Sequence, residues 1–180
     1  MSVTLHDLHD LEARRTEVER VDAIARSVDQ WLARMVEGLR DHYSINRATV
    51  RIIDPEDGEV VVVGQYAEQP TALRVGTRIP FRSTSFPRVT RERRPLMSID
   101  EEDREFPLPL LEQILWEEGV RSWVSIPLRG EFKTVGLLSF TSPEPDAFTE
   151  EDRVLFENIG LLCQDVLVAL ASRRLIQLRG

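Results

Sequence analysis

Residue types that commonly carry catalysis are few in this sequence, and they are not paired for chemistry. Ser122, Ser125 and Ser139 have no histidine placed by the sequence to activate a hydroxyl. No Walker A loop, dinucleotide-binding glycine motif, G-x-S-x-G elbow or H-E-x-x-H pair occurs. Adjacent acids at residues 101–103 lie in a polar segment that offers no burial to tune them. The sequence therefore predicts a domain that is not an enzyme.

Composition narrows the class of protein further. A single cysteine, Cys163, excludes an intrachain disulfide and a cysteine-based zinc site, and a cytoplasmic location is expected. The net charge of −8 disfavours nucleic-acid binding. The 180 residues, 42% of them hydrophobic, fit one domain with a full core. No run of 18 apolar residues is present, so no membrane span is expected.

Two long helices are predicted at the ends of the chain. Residues 5–43 carry an apolar heptad pattern, and the helix from residue 150 to about 178 is apolar nearly all round. Because a sheet covers only one side of a helix, the remaining apolar surface predicts a homodimer. The expected interface consists of Leu11, Val18, Val21, Val28, Leu32, Met35, Leu161, Val168 and Leu175.

The segment between these helices alternates strands and short helices. A hairpin is predicted from two β-rich runs, 122–128 and 134–141, joined by a short connector that contains glycine. Such antiparallel strands with flanking helices are typical of an α+β architecture. Further strands are expected at 48–54, 59–66, 75–81 and 97–100, and further helices at 83–94 and 110–118.

The hairpin and the start of the last helix form the most specific motif. Ser125-Ile-Pro-Leu128 ends the first strand, Gly136 lies in a Val-Gly-Leu-Leu strand, and Phe-Thr-Glu-Glu-Asp at 148–152 opens the helix. This combination resembles the C-terminal half of a GAF domain, a sensory fold related to PAS, and the segment 76–100 is similar to the middle of that family. The resemblance covers roughly residues 28–171.

The resemblance implies a fold and a domain organisation. An antiparallel sheet of five or six strands would carry the N- and C-terminal helices on one face and short lid helices over a pocket on the other. We expect an N-terminal signalling and dimerisation helix at 1–44, the GAF domain at 45–171 and a C-terminal helical extension at 172–180.

The same resemblance implies a ligand pocket. Trp123, Ser125 and Ser139 would share one face of the hairpin by strand alternation, with aromatic lid residues above and one arginine nearby. Such a mixture suits a small, partly polar ligand. The alternative is that the aromatic rings simply fill the space. The expected ligand-binding residues are Arg78, Phe81, Phe86, Val89, Arg104, Trp116, Trp123, Ser125 and Ser139.

Marker residues of specialised GAF relatives are missing, so no cofactor is expected. Covalent bilin attachment is disfavoured because Cys163 lies deep in the last helix. Haem is disfavoured because His6, His9 and His42 all fall in the first helix. Free methionine sulfoxide reductases of this fold use several pocket cysteines, which this chain lacks.

The functional expectation is a sensory or regulatory domain of a bacterial signalling protein. It would bind a small molecule or a partner and relay that event through dimeric terminal helices to an output domain or protein, such as a histidine kinase or a cyclase. The alternative is a ligand-free structural dimerisation module with a filled core, and a weaker alternative is an enzyme of the methionine sulfoxide reductase type.

Overall fold

A six-stranded sheet organises the chain, and the computed structural model describes residues 28–98 and 109–180. The strand order is β3-β2-β1-β6-β5-β4, and every neighbouring pair is antiparallel. This confirms the expected α+β architecture. The strands are β1 Arg47–Ile53, β2 Glu59–Ala67, β3 Arg78–Pro80, β4 Leu96–Met97, β5 Ser122–Arg129 and β6 Thr134–Ser142.

In residues 28–98 and 109–180, four α-helices accompany the sheet. Within the described part of the chain, α1 covers residues 28–39. The last helix begins where the sequence predicts, because the Thr149 backbone N–H donates to Asp152 Oδ2 at 2.7 Å in a capping box. The remaining elements are α2 Phe86–Glu92, α3 Leu110–Glu117, α4 Arg153–Arg179 and the short 3₁₀ turns Phe81–Ser83 and Glu150–Asp152.

The central strands are buried on both faces, and the two faces differ in chemistry. On one face, apolar residues such as Val50, Leu138 and Phe140 form the main core with α1 and α4. Side chains at alternate positions, such as Thr49 and Ser139, point the opposite way, toward α3. The sheet therefore separates the main apolar core from a second layer of mixed polar and apolar side chains, with the terminal helices on the side of the main core, as expected.

The residues predicted at the dimer interface differ in how deeply the structure buries them. Val28 and Leu32 are fully buried, and Leu175 is nearly so, because they pack in the core of their own chain. Their assignment to a dimer interface is therefore wrong. Met35 and Val168 are partly buried against the same core. Leu161 is half exposed. Leu11, Val18 and Val21 lie outside the described residues.

The predicted domain boundaries do not separate independent units. Residues 28–39, placed in a separate N-terminal helix, contribute Val28, Leu32 and Val36 to the main core. Residues 172–180, placed in an extension, contribute Leu175 to that core and Arg179 to an ion pair with Asp54. Both helical ends of the described chain are therefore integral to the domain.

Helix α4 keeps a second apolar face that the sheet does not cover. Together with the preceding 3₁₀ turn, it is long and apolar enough to cross a membrane by length and composition alone, a test that packed core helices also pass. Its opposite side packs on the sheet through Phe156, Gly160 and Leu167. The uncovered large apolar residues are Val154, Leu155, Leu161, Leu162, Val166, Ile176 and Leu178.

Gly136 permits close packing of neighbouring strands. A Cβ atom there would lie 2.7 Å from the backbone oxygen of Arg51 in β1. The sequence predicts that a lid residue or a ligand closely approaches Gly136. The close approach is present, but the identity of the approaching group was predicted wrongly. The approaching group is the adjacent strand, so this glycine sets how tightly β1 and β6 pair.

We predict that Gly136→Ala lowers the free energy of unfolding by about 1–3 kcal/mol, because a backbone oxygen cannot move aside as a side chain can. Urea denaturation measures the change. Gly38→Ala is the matched control: an added Cβ has open space there, and it should raise stability by about 0.5 kcal/mol through helix propensity. An equal response of the two variants would contradict this account.

Asp54 joins the end of α4 to the edge of the sheet. Its buried carboxylate pairs with the guanidinium of Arg179 and accepts a hydrogen bond from Arg78 Nη1 at 3.1 Å. Hydrogen bonds from Arg179 hold the pKa of Asp54 well below its usual range, although burial acts in the opposite direction. Asp57, which is more exposed, also pairs with Arg78 at 2.7 Å.

A carboxyl whose pKa is depressed in the folded state stabilises the fold above its unfolded pKa and loses that contribution as the pH falls toward the folded pKa. We therefore predict that Asp54→Asn lowers the urea midpoint at pH 7. The difference from wild type should shrink below about pH 4, near the unfolded pKa of aspartate. Asp57→Asn, at an exposed pair, should have a smaller effect. A pH-independent difference for Asp54→Asn would refute the ion-pair explanation.

Candidate functional site

A partly open cavity lies between the sheet and α3, on the face opposite α1 and α4. Its volume is ≈ 20 Å³, which is room for one or two water molecules. The lining combines two arginines, a glutamate and four hydroxyl side chains with a tryptophan and aliphatic residues. These residues are Arg47, Thr49, Arg51, Val62, Leu73, Leu111, Glu112, Leu115, Trp123, Ser125, Ser139 and Thr141.

Strand register places the polar floor of the cavity in two rows that cross three strands. In the first row, Ser139 of β6 lies opposite both Thr49 of β1 and Ser125 of β5. In the second row, Thr141 lies opposite both Arg47 and Trp123. Because cross-strand partners have adjacent side chains, residues far apart in sequence form one continuous polar surface.

Arg51 is the central charge of this surface. Its Nη2 donates to Ser139 Oγ at 2.5 Å, and Ser139 Oγ lies 2.9 Å from Ser125 Oγ. Burial lowers the pKa of Arg51 to about 10, against the opposing effect of the nearby Glu112 carboxylate. At neutral pH the guanidinium therefore carries a full positive charge inside the domain.

Glu112 brings a compensating charge from α3. It lies one residue from the apolar Leu111, and both side chains are almost fully buried. Its Oε1 accepts a hydrogen bond from the Ser85 backbone N–H at 3.1 Å, which connects α3 to the start of α2. The lid helices are thus joined to each other directly above the cavity.

The second arginine, Arg47, joins the cavity to the loop between β2 and β3. Its Nη2 donates to Glu118 Oε2 at 2.6 Å. The same carboxylate accepts hydrogen bonds from Thr71 Oγ1 and from the Ala72 backbone N–H. Partial burial pushes the pKa of Glu118 up, but the bonds from Ala72, Thr71 and Arg47 bring it below its usual value. Glu118 therefore stays ionised and holds the loop against α3.

Three of the residues predicted to bind a ligand line the cavity. Trp123, Ser125 and Ser139 share the face toward α3, as strand alternation indicates. Ser125 and Ser139 bond to each other, and Arg51 donates to Ser139, so their partners are side chains of the cavity. Whether these residues bind a ligand stays a prediction.

Of the other predicted residues, those that the structure describes do not line this cavity. Phe81, Phe86 and Val89 pack in a separate cluster with Val60, Leu96 and Leu137. Trp116 is half exposed, and its ring lies 4.2 Å from the Arg121 guanidinium carbon, outside the cavity. Arg78 forms ion pairs with Asp54 and Asp57 outside the cavity. Arg104 lies outside the described residues.

Sequence reasoning missed the two arginines that matter most here. The signal was present in β1, where Arg47, Thr49 and Arg51 alternate with Ala48 and Val50. In an antiparallel sheet such alternation usually indicates solvent on the polar side. Here α3 covers the polar side of β1, so both arginines are buried.

Cys163 lies on α4, where it packs against the main core on the other side of the sheet. Burial raises the pKa of its thiol, which keeps it protonated and weakly nucleophilic. Within residues 28–98 and 109–180, no group of three or more histidine, cysteine or acidic side chains is arranged to hold a metal ion.

Solved structures share this fold at low sequence identity. A GAF domain region of a membrane protein from Geobacter sulfurreducens PCA aligns with a TM-score of 0.60 and 22% identity, over 85% of this chain and 99% of that one. The GAF domain of a two-component sensor histidine kinase from Bacillus halodurans aligns with a TM-score of 0.56 and 17% identity, over 79% and 97%.

An enzyme is among the similar structures. A type II free methionine-R-sulfoxide reductase from Thermoplasma acidophilum aligns with a TM-score of 0.57 and 14% identity, over 84% of this chain and 94% of that one.

A search of curated proteins finds no match. The sequence profile described as GAF domain matches residues 25–168, well over half of the sequence. The chain belongs to the GAF domain family.

Proposed function

We propose that this chain is a sensory or regulatory domain of a bacterial signalling protein, acting in the cytoplasm. It binds a small molecule in the cavity under α3 and relays its occupancy through paired terminal helices of a homodimer to an output domain or protein. GAF domains occur in signalling proteins, among them a sensor histidine kinase and a phosphoenolpyruvate-protein phosphotransferase from Coxiella burnetii.

The observation that carries this proposal is that the lining of the cavity is both polar and buried. Arg51 is only 4% exposed, and hydroxyl side chains surround it. A well-packed apolar cluster of the same volume would be as stable or more so, since burying charges is expensive even when they are paired. Retaining buried arginines, a buried glutamate and buried hydroxyls around one cavity therefore favours a binding role over a purely structural one.

The position of the cavity supports a relay to the terminal helices. Ser139 faces the cavity, and the next residue, Phe140, packs in the core that holds α1 and α4. A ligand shifts a conformational equilibrium only by its difference in affinity for the two states. A ligand that moves the strands beneath α3 would change the surface on which α1 and α4 rest.

The second candidate function is a structural dimerisation module, and the small size of the cavity favours it. A volume of ≈ 20 Å³ admits no drug-sized ligand without movement of α3. Ser125, Ser139 and Arg51 also satisfy part of one another's hydrogen bonding. The enzyme alternative has less support, because Cys163 lies across the sheet from the cavity.

A fragment screen separates the sensor from the structural module. Small polar fragments should raise the melting temperature of the wild type. Leu115→Trp should abolish that effect, because the larger ring fills the cavity that Leu115 lines. Leu110→Trp is the matched control: Leu110 is half exposed on the same helix and lies outside the cavity lining, so it should keep the response. Fragment binding that persists in Leu115→Trp, or none at all, would favour the structural module.

Dimerisation has its own support in the uncovered face of α4. Leu162 is 84% exposed, and Leu161, Val166 and Ile176 are each more than half exposed on the same side. Several large apolar side chains exposed on one helix favour an interaction surface there. A second copy of the chain would cover it by helix pairing, and in this proposal that pairing carries the signal.

We predict that the wild type is a dimer and that Leu162→Asp is a folded monomer, because the substitution adds charge to the interface while leaving the core intact. Light scattering at about 50 μM, well above the dissociation constant of a specific interface, measures the mass. Phe132→Asp, at an equally exposed apolar residue between β5 and β6, should stay dimeric. A monomeric wild type, or one that instead partitions into lipid vesicles, would refute the dimer.

A further inference from the structure

The cavity lining contains more hydrogen-bond donors than the protein satisfies. In the part of the chain that the structure describes, five buried nitrogen atoms of cavity residues have no hydrogen-bond partner. They are Nε and Nη1 of Arg47, Nε and Nη1 of Arg51, and Nε1 of Trp123. A buried donor left without an acceptor is destabilising, so this arrangement favours a guest that brings acceptors.

The charges around the cavity limit how negative that guest can be. Arg47 already pairs with Glu118, and Arg51 lies near Glu112. A phosphate dianion would add two negative charges beside these carboxylates. A neutral carbonyl accepts at only two lone pairs, whereas a carboxylate offers about four and matches the fork of a guanidinium. A monoanionic carboxylate adds only one negative charge and still offers enough acceptor positions for the free arginine donors.

The remaining walls of the cavity are apolar. Val62 lies on the sheet side, Leu111 and Leu115 come from α3, and Leu73 comes from the loop before β3. An inorganic anion would leave these side chains without a partner, whereas a short hydrocarbon body would cover them. The volume of ≈ 20 Å³ restricts that body to a few atoms unless α3 moves outward.

We propose that the cavity binds a small organic carboxylate, with the carboxylate held by Arg51 and Arg47 and a short apolar body resting against Leu111 and Leu115. This proposal rests on the sensory function proposed above and names the chemical class of its ligand. Thr49 and Ser125 line the same floor and place two hydroxyls beside the guest, whereas the Thr141 hydroxyl donates to Asn46 Oδ1 at 2.9 Å.

The indole N–H of Trp123 supplies a direct readout. Three tryptophans give three indole signals in a proton–nitrogen NMR spectrum, and Trp123→Phe identifies the one from the cavity. Sodium acetate, propionate and butyrate are titrated at constant ionic strength. We expect a saturable shift of the Trp123 signal, with dissociation constants on the order of 0.1–10 mM for ligands of so few atoms. Propionamide and 1-propanol, which match propionate in size without its charge, should give none.

Variants locate the charge that does the binding. Arg51→Met keeps an unbranched apolar stem but removes the guanidinium, and it should weaken propionate binding by at least about tenfold, the usual scale for losing a charged hydrogen bond. Arg51→Lys and Arg47→Met keep the test valid if Arg51→Met does not fold, and each should also weaken propionate binding. Arg78→Met is the control, because Arg78 pairs with Asp54 and Asp57 outside the cavity, and it should bind propionate as the wild type does.

Several outcomes overturn the proposal. They are equal binding of propionamide, unchanged affinity in the folded Arg51 and Arg47 variants, tighter binding of nitrate or phosphate than of propionate, and no shift with any carboxylate. If neutral fragments bind and lose their effect in Leu115→Trp, the carboxylate inference fails while the sensory function stands. If neither carboxylates nor fragments bind, both fail.

Discussion

The burial of the central strands on both faces is the constraint on which the rest of the structure depends. A strand that must pack on two sides cannot send its polar residues to water, so each must find a partner inside. In β1 the apolar set meets α1 and α4, and the polar set meets α3. Arg51, Ser139 and Ser125 therefore form an internal polar layer, and α3 must contribute a carboxylate, Glu112, to lie over it.

The fold could be predicted from the sequence because its signals are local. The hairpin of β5 and β6, the acidic capping segment before α4 and the alternation within each strand specify elements at short range. These elements can pack together in only a few ways, and the motif around Ser125 and Gly136 indicated the GAF arrangement. Gly136 itself shows the limit of local reasoning: its need for space was visible, but its neighbour, the backbone of Arg51, is 85 positions away in the sequence.

The candidate site was predicted only in part, because burial depends on which elements pack over the sheet. Trp123, Ser125 and Ser139 followed from alternation within one hairpin. Arg47 and Arg51 required the knowledge that α3 packs over the polar side of β1, which no local pattern supplies. Arg78 has the residue type of a ligand-binding group, but the acids at the turn between β1 and β2 pair with it first. Val28 and Leu32 show the same effect for the helices, since a heptad pattern cannot tell a partner helix from a sheet.

Strand β6 has a consequence for how far a signal must travel. Ser139 contacts the cavity arginine, and the adjacent Phe140 lies with its ring 5.9 Å from that of Phe156, in the first turn of α4. One peptide unit therefore spans the whole thickness of the sheet. If that peptide unit tilts by a few degrees, the Ser139 side chain on one face and the Phe140 side chain on the other move in opposite directions. The cavity and the main core are therefore separated at this point by a single layer of backbone.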